Sequence, residues 1–146
     1  MIKHIFFLFI FISSFGNAQS LYFEGSWTKT GTTYEFPFQL VLIHQENIVE
    51  GYFLWQIQEL DENNSISKMY YESKLGLNAK EFVKGSYDLQ NETYYLKGYK
   101  KEDPHNIISL DSYKLKISKE GIINGSTKSD GNWHGRIDGK EIRLAI

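Results

Sequence analysis

Between Tyr34 and Gln58 the chain alternates apolar and polar residues for longer than anywhere else, and this stretch does most to dictate the fold class. It reads Tyr-Glu-Phe-Pro-Phe-Gln-Leu-Val-Leu-Ile-His, breaks at Gln45-Glu46-Asn47, and resumes as Ile-Val-Glu-Gly-Tyr-Phe-Leu-Trp-Gln-Ile-Gln. Successive side chains of a strand point to opposite faces. A two-residue turn at Glu46-Asn47 therefore sets His44 against Val49, Leu42 against Gly51, Leu40 against Phe53, Phe38 against Trp55 and Phe36 against Ile57. A slip of one residue would place Leu42 against Glu50 and scramble the apolar face. The pattern selects both a β-hairpin and its register.

The rest of the chain repeats this logic at short intervals. Leu21, Phe23, Gly25 and Trp27 share one face of a strand over 21–28. A polar loop over 61–65 leads to a weaker strand expected over 66–75, and Gly76 to Lys80 turns the chain, with Asn78 to Glu81 able to form one helical turn. Strands over 82–89 and 92–101, joined at Gln90-Asn91, set Tyr87 against Tyr94, Gly85 against Leu96 and Val83 against Gly98. A strand over 107–118 alternates Tyr113, Leu115 and Ile117 inward. Lys119-Glu120-Gly121 then forms a three-residue loop with glycine in the left-handed position, and Ile123, Gly125 and Thr127 continue the inner face. A similar loop at Ser129-Asp130-Gly131 aligns Thr127 with Trp133, Gly125 with Gly135 and Ile123 with Ile137. Asp138-Gly139, a strong two-residue turn signal, brings Ile142, Leu144 and Ile146 onto the face of Trp133.

No window carries an extended 3.6-residue apolar period, so the class is all-β. A meander leaves two bare edges unless it closes. The expected architecture is thus an antiparallel up-and-down meander of about eight to ten strands closed into a small barrel, with a β-sandwich as the alternative. Gly25, Gly51, Gly85, Gly98, Gly125 and Gly135 fall inside strands on the inner face, where glycine is unfavourable unless it allows strong bending or close approach.

The first residues do not belong to that sheet. Lys3 and His4 give a positive start, Ile5 to Ile12 is an unbroken apolar run, and Gly16-Asn17-Ala18 has the small-x-small form of a signal-peptidase site. Eight apolar residues fall short of the roughly 20 that span a bilayer. The expectation is a signal peptide over 1–18, cleaved after Ala18, and a single barrel domain over 19–146, bacterial and periplasmic or secreted. With no cysteine in the chain there is no disulfide and no lipidation at the cleavage site, so no membrane anchor is expected after cleavage. A formal charge of −2 and only two arginines, Arg136 and Arg143, argue against nucleic acid as a partner.

Catalytic and metal motifs are not recognisable. His44, His105 and His134 have no metal-ligand spacing, no nucleophile elbow or phosphate loop is present, and neither cofactor nor metal is expected. Asp103-Pro104-His105 near Asp111 is the most chemical cluster, and a solvated connecting loop explains it as well. Asp130, Asp138 and Glu141 near His134 form a second, but Asp130 and Asp138 are accounted for by turns. The feature that needs explaining is an aromatic content of 16%. Such residues fill a small barrel outright, or they line a pocket for an apolar or planar ligand. On the second reading the ligand-binding residues are Trp27, Phe38, Phe53, Trp55, Tyr87, Tyr94, Tyr113 and Trp133. On the outer face Tyr52, Tyr95 and Tyr99 alternate with Glu50, Lys97 and Lys101, either as solvated surface or as a contact surface. Val41, Ile43, Tyr52 and Leu54 are more apolar than a solvated strand needs.

Gly25-Ser26-Trp27 on the first strand of the domain resembles the Gly-x-Trp opening of lipocalins, and avidin-type barrels begin with a similar strand. The resemblance covers this tripeptide and the meander, and implies a calycin-like barrel. It also implies that Trp27 packs near the closed end under a basic side chain from a late strand, for which Arg136 and Arg143 are the only arginines. The helix that follows a lipocalin barrel, the helical lid of fatty-acid-binding proteins and the polar biotin contacts of avidins have no counterpart here. The functional expectation is an exported, non-catalytic binding protein that carries a small apolar or aromatic ligand. The alternative is a cell-envelope interaction or inhibitor module acting through rim loops and outer strands.

Overall fold

The computed structural model describes residues 18–32, 35–57, 72–129 and 134–143. The strands are β1 (Gln19–Lys29), β2 (Glu35–Gln45), β3 (Ile48–Gln56), β4 (Asn78–Asp88), β5 (Thr93–Glu102), β6 (Asp111–Ile117), β7 (Ile122–Ser129) and β8 (His134–Glu141). They pair in chain order, all antiparallel, and β8 returns to β1, so the sheet closes into an eight-stranded barrel without free edges. Because the topology is up-and-down, the β2–β3, β4–β5 and β6–β7 turns gather at one end. The ends of β1, β3, β5 and β7 and the starts of β2, β4, β6 and β8 lie at the opposite end.

The three hairpins at the tight-turn end carry the predicted registers. Leu42 faces Gly51 and Phe38 faces Trp55, Tyr87 faces Tyr94 and Val83 faces Gly98, and Leu115 faces Gly125. Gly121 takes the left-handed conformation expected of it, at φ 85°. Pairing of β2 with β3 stops at Phe38 and Trp55, so Phe36 and Ile57 are not ladder partners. At each of the six inner-face glycines an added Cβ would lie no more than 2.2 Å from a neighbouring atom, in four cases the backbone of the next strand. Closure depends on that proximity.

Five expectations are corrected. Glu72–Lys74 forms a 3-10 turn instead of continuing a strand, and 66–71 lie outside the described residues. Asn78 to Glu81 is the start of β4, neither turn nor helix. The strand expected from Ile107 begins only at Asp111, because the Ile107 and Ile108 amides donate to the Asp103 carboxylate at 2.8 and 3.0 Å and are not free for a ladder. The β7–β8 register is displaced by two residues: Thr127 faces Gly135, Gly125 faces Ile137 and Ile123 faces Gly139. This displacement seats the Trp27 indole over Gly135, where a Cβ would stand 2.0 Å from Trp27 Nε1, and lets Nε1 donate to Thr127 Oγ1 at 2.6 Å. Asp138-Gly139 makes no turn at all. Gly139 lies opposite Gly25 across the β1–β8 seam, where a side chain would meet the Glu24 carbonyl, and Asp138 pairs outward with Arg136.

The interior is filled over most of its length. Phe53 stacks on Tyr113 (4.6 Å between ring centroids) and on Trp55 (5.1 Å), and Phe38 meets both Phe53 and Trp55 edge-on. Leu40, Leu42, Val49, Val83, Leu115, Ile123 and Ile137 complete the core, each at most 1% exposed. His44, Tyr87 and Tyr94 close the tight-turn end. His44 Nε2 bonds the Glu46 carbonyl, its Nδ1 meets the Tyr94 hydroxyl at 3.2 Å, and both tyrosine rings pack against the imidazole. Burial, reinforced by Tyr87, pushes the Tyr94 hydroxyl up to about 12.

The Trp27–Thr127 bond is a buried donor with one partner. Thr127→Val keeps the shape and strands the indole N–H, at an expected cost of about 1–3 kcal/mol in urea unfolding. An unchanged stability would mean that the indole finds another acceptor.

Candidate functional site

A cavity of about 270 Å³ opens at the end opposite the tight turns. Trp27, Phe36, Trp55, Ile57 and Tyr113 form its walls, and the rim is carried by Lys74 and residues 106–109. The rim is stapled rather than loose. Lys74 Nζ donates to the Asn106 carbonyl at 3.1 Å, and the Gly76 amide bonds the Ile57 carbonyl at 2.7 Å. The Asp103 side chain is fully covered. Burial works against its ionisation, but the Ile107 and Ile108 amides and the Lys101 ammonium outweigh it and hold the carboxyl below the usual range. Asp103 is thus a loop anchor, and His105 beside it is exposed, so the cluster suspected there does not assemble. Asp111 alone of that group reaches the cavity.

In the cavity lies a residue that no motif announced. Glu81, 1% exposed, lies on the inner face of β4 two residues before Val83. Its Oε1 accepts the Asp111 amide at 2.9 Å. Its Oε2 accepts the Tyr113 hydroxyl at 2.5 Å and, more weakly, the Trp55 indole N–H at 3.4 Å. Gly98 makes room for it, since a Cβ there would fall 2.1 Å from Oε1. A one-residue bulge in β5 at Tyr99 shifts the β4–β5 register beside this carboxylate and sets Lys101 opposite Glu81. Lys101 turns its ammonium to Asp103 and to the Ile108 carbonyl, not to Glu81. Burial raises the Glu81 carboxyl to about 7, with the nearby Asp111 charge adding to it, against the pull of the three hydrogen bonds. The Tyr113 hydroxyl is pushed well above its ordinary value by burial first and by the Glu81 and Asp111 charges second.

Comparison with known families, curated proteins and solved structures finds no match to this chain. The cavity has to be read from its own chemistry. Of the eight aromatic residues expected to meet a ligand, Trp27, Trp55 and Tyr113 line the cavity. Phe38 and Phe53 lie in the core against Trp55, Tyr87 and Tyr94 close the opposite end, and Trp133 lies outside the described residues. The barrel agrees with a calycin-like architecture at the level of strand number and closure. Trp27, however, is not covered by an arginine. Arg136 faces outward to Asp138, Arg143 pairs with Glu141, and the indole bonds Thr127.

A broader groove crosses the outer face between β8 and β4, past Glu24, Gln39, Leu54 and Lys140. Its ionisable residues are exposed, and Lys140 pairs with Glu24 at 3.7 Å. On the same outer side Lys80 lies 4.1 Å over the Tyr52 ring, and Lys84 lies 4.6 Å over Tyr99, so lysine stems cover part of the apolar outer stripe. Of the two concavities the end cavity is the better candidate, because a buried ionisable group borders it and not the groove.

Proposed function

We propose that this protein is an exported, non-catalytic binding protein that takes a small apolar or aromatic molecule into the open end of its barrel. The observation that carries this reading is the cavity itself, walled by Trp27, Phe36, Trp55, Ile57 and Tyr113 and floored by a filled core. At about 270 Å³ it lies just below the roughly 300–1,000 Å³ common for ligand pockets, which restricts the ligand to a small molecule. Phe38 and Phe53 occupy the space that a long acyl chain would need. Export follows from the N-terminal pattern ending at Ala18.

The neutral fluorophore N-phenyl-1-naphthylamine tests the reading. Its emission should rise saturably with one equivalent of protein, and Ile107→Trp, which fills the mouth of the cavity, should weaken its binding by at least about tenfold. Absence of saturable uptake, together with native mass spectra showing the bare chain mass alone, would remove the carrier reading.

A further inference from the structure

Among the described residues no cation pairs with the Glu81 carboxylate, the partner that buried carboxylates normally have. An ionised carboxylate offers about four acceptor sites. Three are occupied here, all by neutral donors: the Asp111 amide, the Tyr113 hydroxyl and the distant Trp55 indole. The ion pairs among the described residues join Lys101 to Asp103, Arg136 to Asp138, Lys140 to Glu24 and Arg143 to Glu141, and leave Glu81 out. A buried carboxylate without a cation is costly, and glutamine or a hydrophobic residue would serve mere structure at lower cost. Its surroundings are also suited to a positive charge. Asp111 is a second acid bordering the same cavity, and Trp27, Phe36, Trp55 and Tyr113 supply aromatic π systems that attract cations.

We propose that the ligand carries a cationic nitrogen, a protonated amine on a small aromatic or alkyl body, which bonds the Glu81 carboxylate while the aromatic walls enclose the rest. This rests on the carrier reading and narrows its ligand class. A metal ion fits the site less well, since no three His, Cys, Asp or Glu side chains converge anywhere among the described residues. An anionic ligand would meet Glu81 and Asp111 with like charge. Among the described residues, the charged and titratable groups that line the cavity with Glu81 are Asp111 and Tyr113 from β6 and Lys74 at the rim. Of these only Lys74 is cationic, and it is bonded to the Asn106 carbonyl at the mouth.

The experiment compares an isosteric pair, 2-phenylethylamine and 2-phenylethanol, by calorimetric titration of the full domain at pH 8. The amine should bind at least about tenfold more tightly than the alcohol, because both can donate a hydrogen bond to the carboxylate but only the ammonium adds an ion pair, at a buried site where water screens it little. Glu81→Gln should abolish the preference, the amine losing far more affinity than the alcohol. In the unmodified protein the amine's affinity should fall by about tenfold between pH 8 and pH 6, as Glu81 takes up its proton, whereas an alkylammonium with a pKa near about 10 stays charged throughout. The alcohol's affinity should change much less over the same range, because a hydroxyl can bond the carboxyl in either protonation state. Equal affinity for amine and alcohol at pH 8, or a preference that survives in Glu81→Gln, overturns the amine proposal and leaves the carrier reading standing. If neither compound binds and N-phenyl-1-naphthylamine is not taken up either, both fall together. Tighter binding of 3-phenylpropanoate than of the amine would reverse the assigned charge.

Discussion

Replacing Phe53 with alanine should lower the thermal midpoint of the barrel by about 10–20 °C. Phe53 is fully buried at the centre of the aromatic stack, with Tyr113 and Trp55 on its faces and Phe38 at its edge. Truncating a buried phenylalanine costs about 3–5 kcal/mol, the sum of lost transfer energy and an unfilled cavity. In a domain of this size each kcal/mol moves the midpoint by several degrees. The loss should fall at the high end of the range because the neighbours cannot collapse into the gap. Tyr113 is tethered through its hydroxyl to Glu81, and Trp55 through its indole N–H to the same carboxylate. Without cysteine the chain has no disulfide to limit the unfolded state, so nothing compensates. Circular dichroism melts of Phe53→Ala and Phe53→Leu decide the matter. Leucine should recover more than half of the loss, and a shift below about 5 °C for alanine would show that the stack is not close-packed.

The contrast between Phe53 and Glu81 shows what the sequence could reveal. Phe53 and its partners were legible because alternation distinguishes inside from outside, and three tight turns fixed the registers of β2–β3, β4–β5 and β6–β7. Even the β7–β8 register, off by two, preserved the inner face, because the side-chain period is two. Alternation says little about height along the barrel. Trp27 and Tyr94 share the inner face, yet one borders the cavity and the other closes the opposite end. Asp138-Gly139 misled because the same dipeptide that suits a turn also suits a seam where two backbones touch. Glu81 was reachable in principle: it lies in phase with Ala79 and Val83, both inward. The polar composition of Asn78 to Glu81 hid the start of β4, and the Tyr99 bulge that accompanies the site leaves no periodic signature. The rim over 106–109, held by Asp103 and Lys74, has no period either.

Glu81 should make the barrel less stable as the pH rises through neutrality. Its carboxyl stands at about 7 in the folded protein against an ordinary value of 4.5, so the folded state holds the proton more tightly than the unfolded chain. Below pH 4.5 both states are protonated and Glu81 imposes no penalty. Between 4.5 and 7 the unfolded chain ionises first, and stability falls. Above 7 the penalty levels off at about 3 kcal/mol, from about 1.4 kcal/mol per pH unit. Asp103 and Asp88, both held below their ordinary range, act in the opposite sense and in a different window, since their contributions are lost only as the pH falls below about 4. Urea unfolding of the parent and of Glu81→Gln at pH 4.5, 6, 7 and 8 isolates the Glu81 contribution. The variant should be more stable by about 3 kcal/mol at pH 8 and equal to the parent at pH 4.5; a difference independent of pH would show that the carboxylate is solvated. The penalty at pH 8 is what a bound cation would offset. A saturating amine should therefore raise the parent's stability most above pH 7 and have little effect at pH 4.5, where Glu81 is neutral.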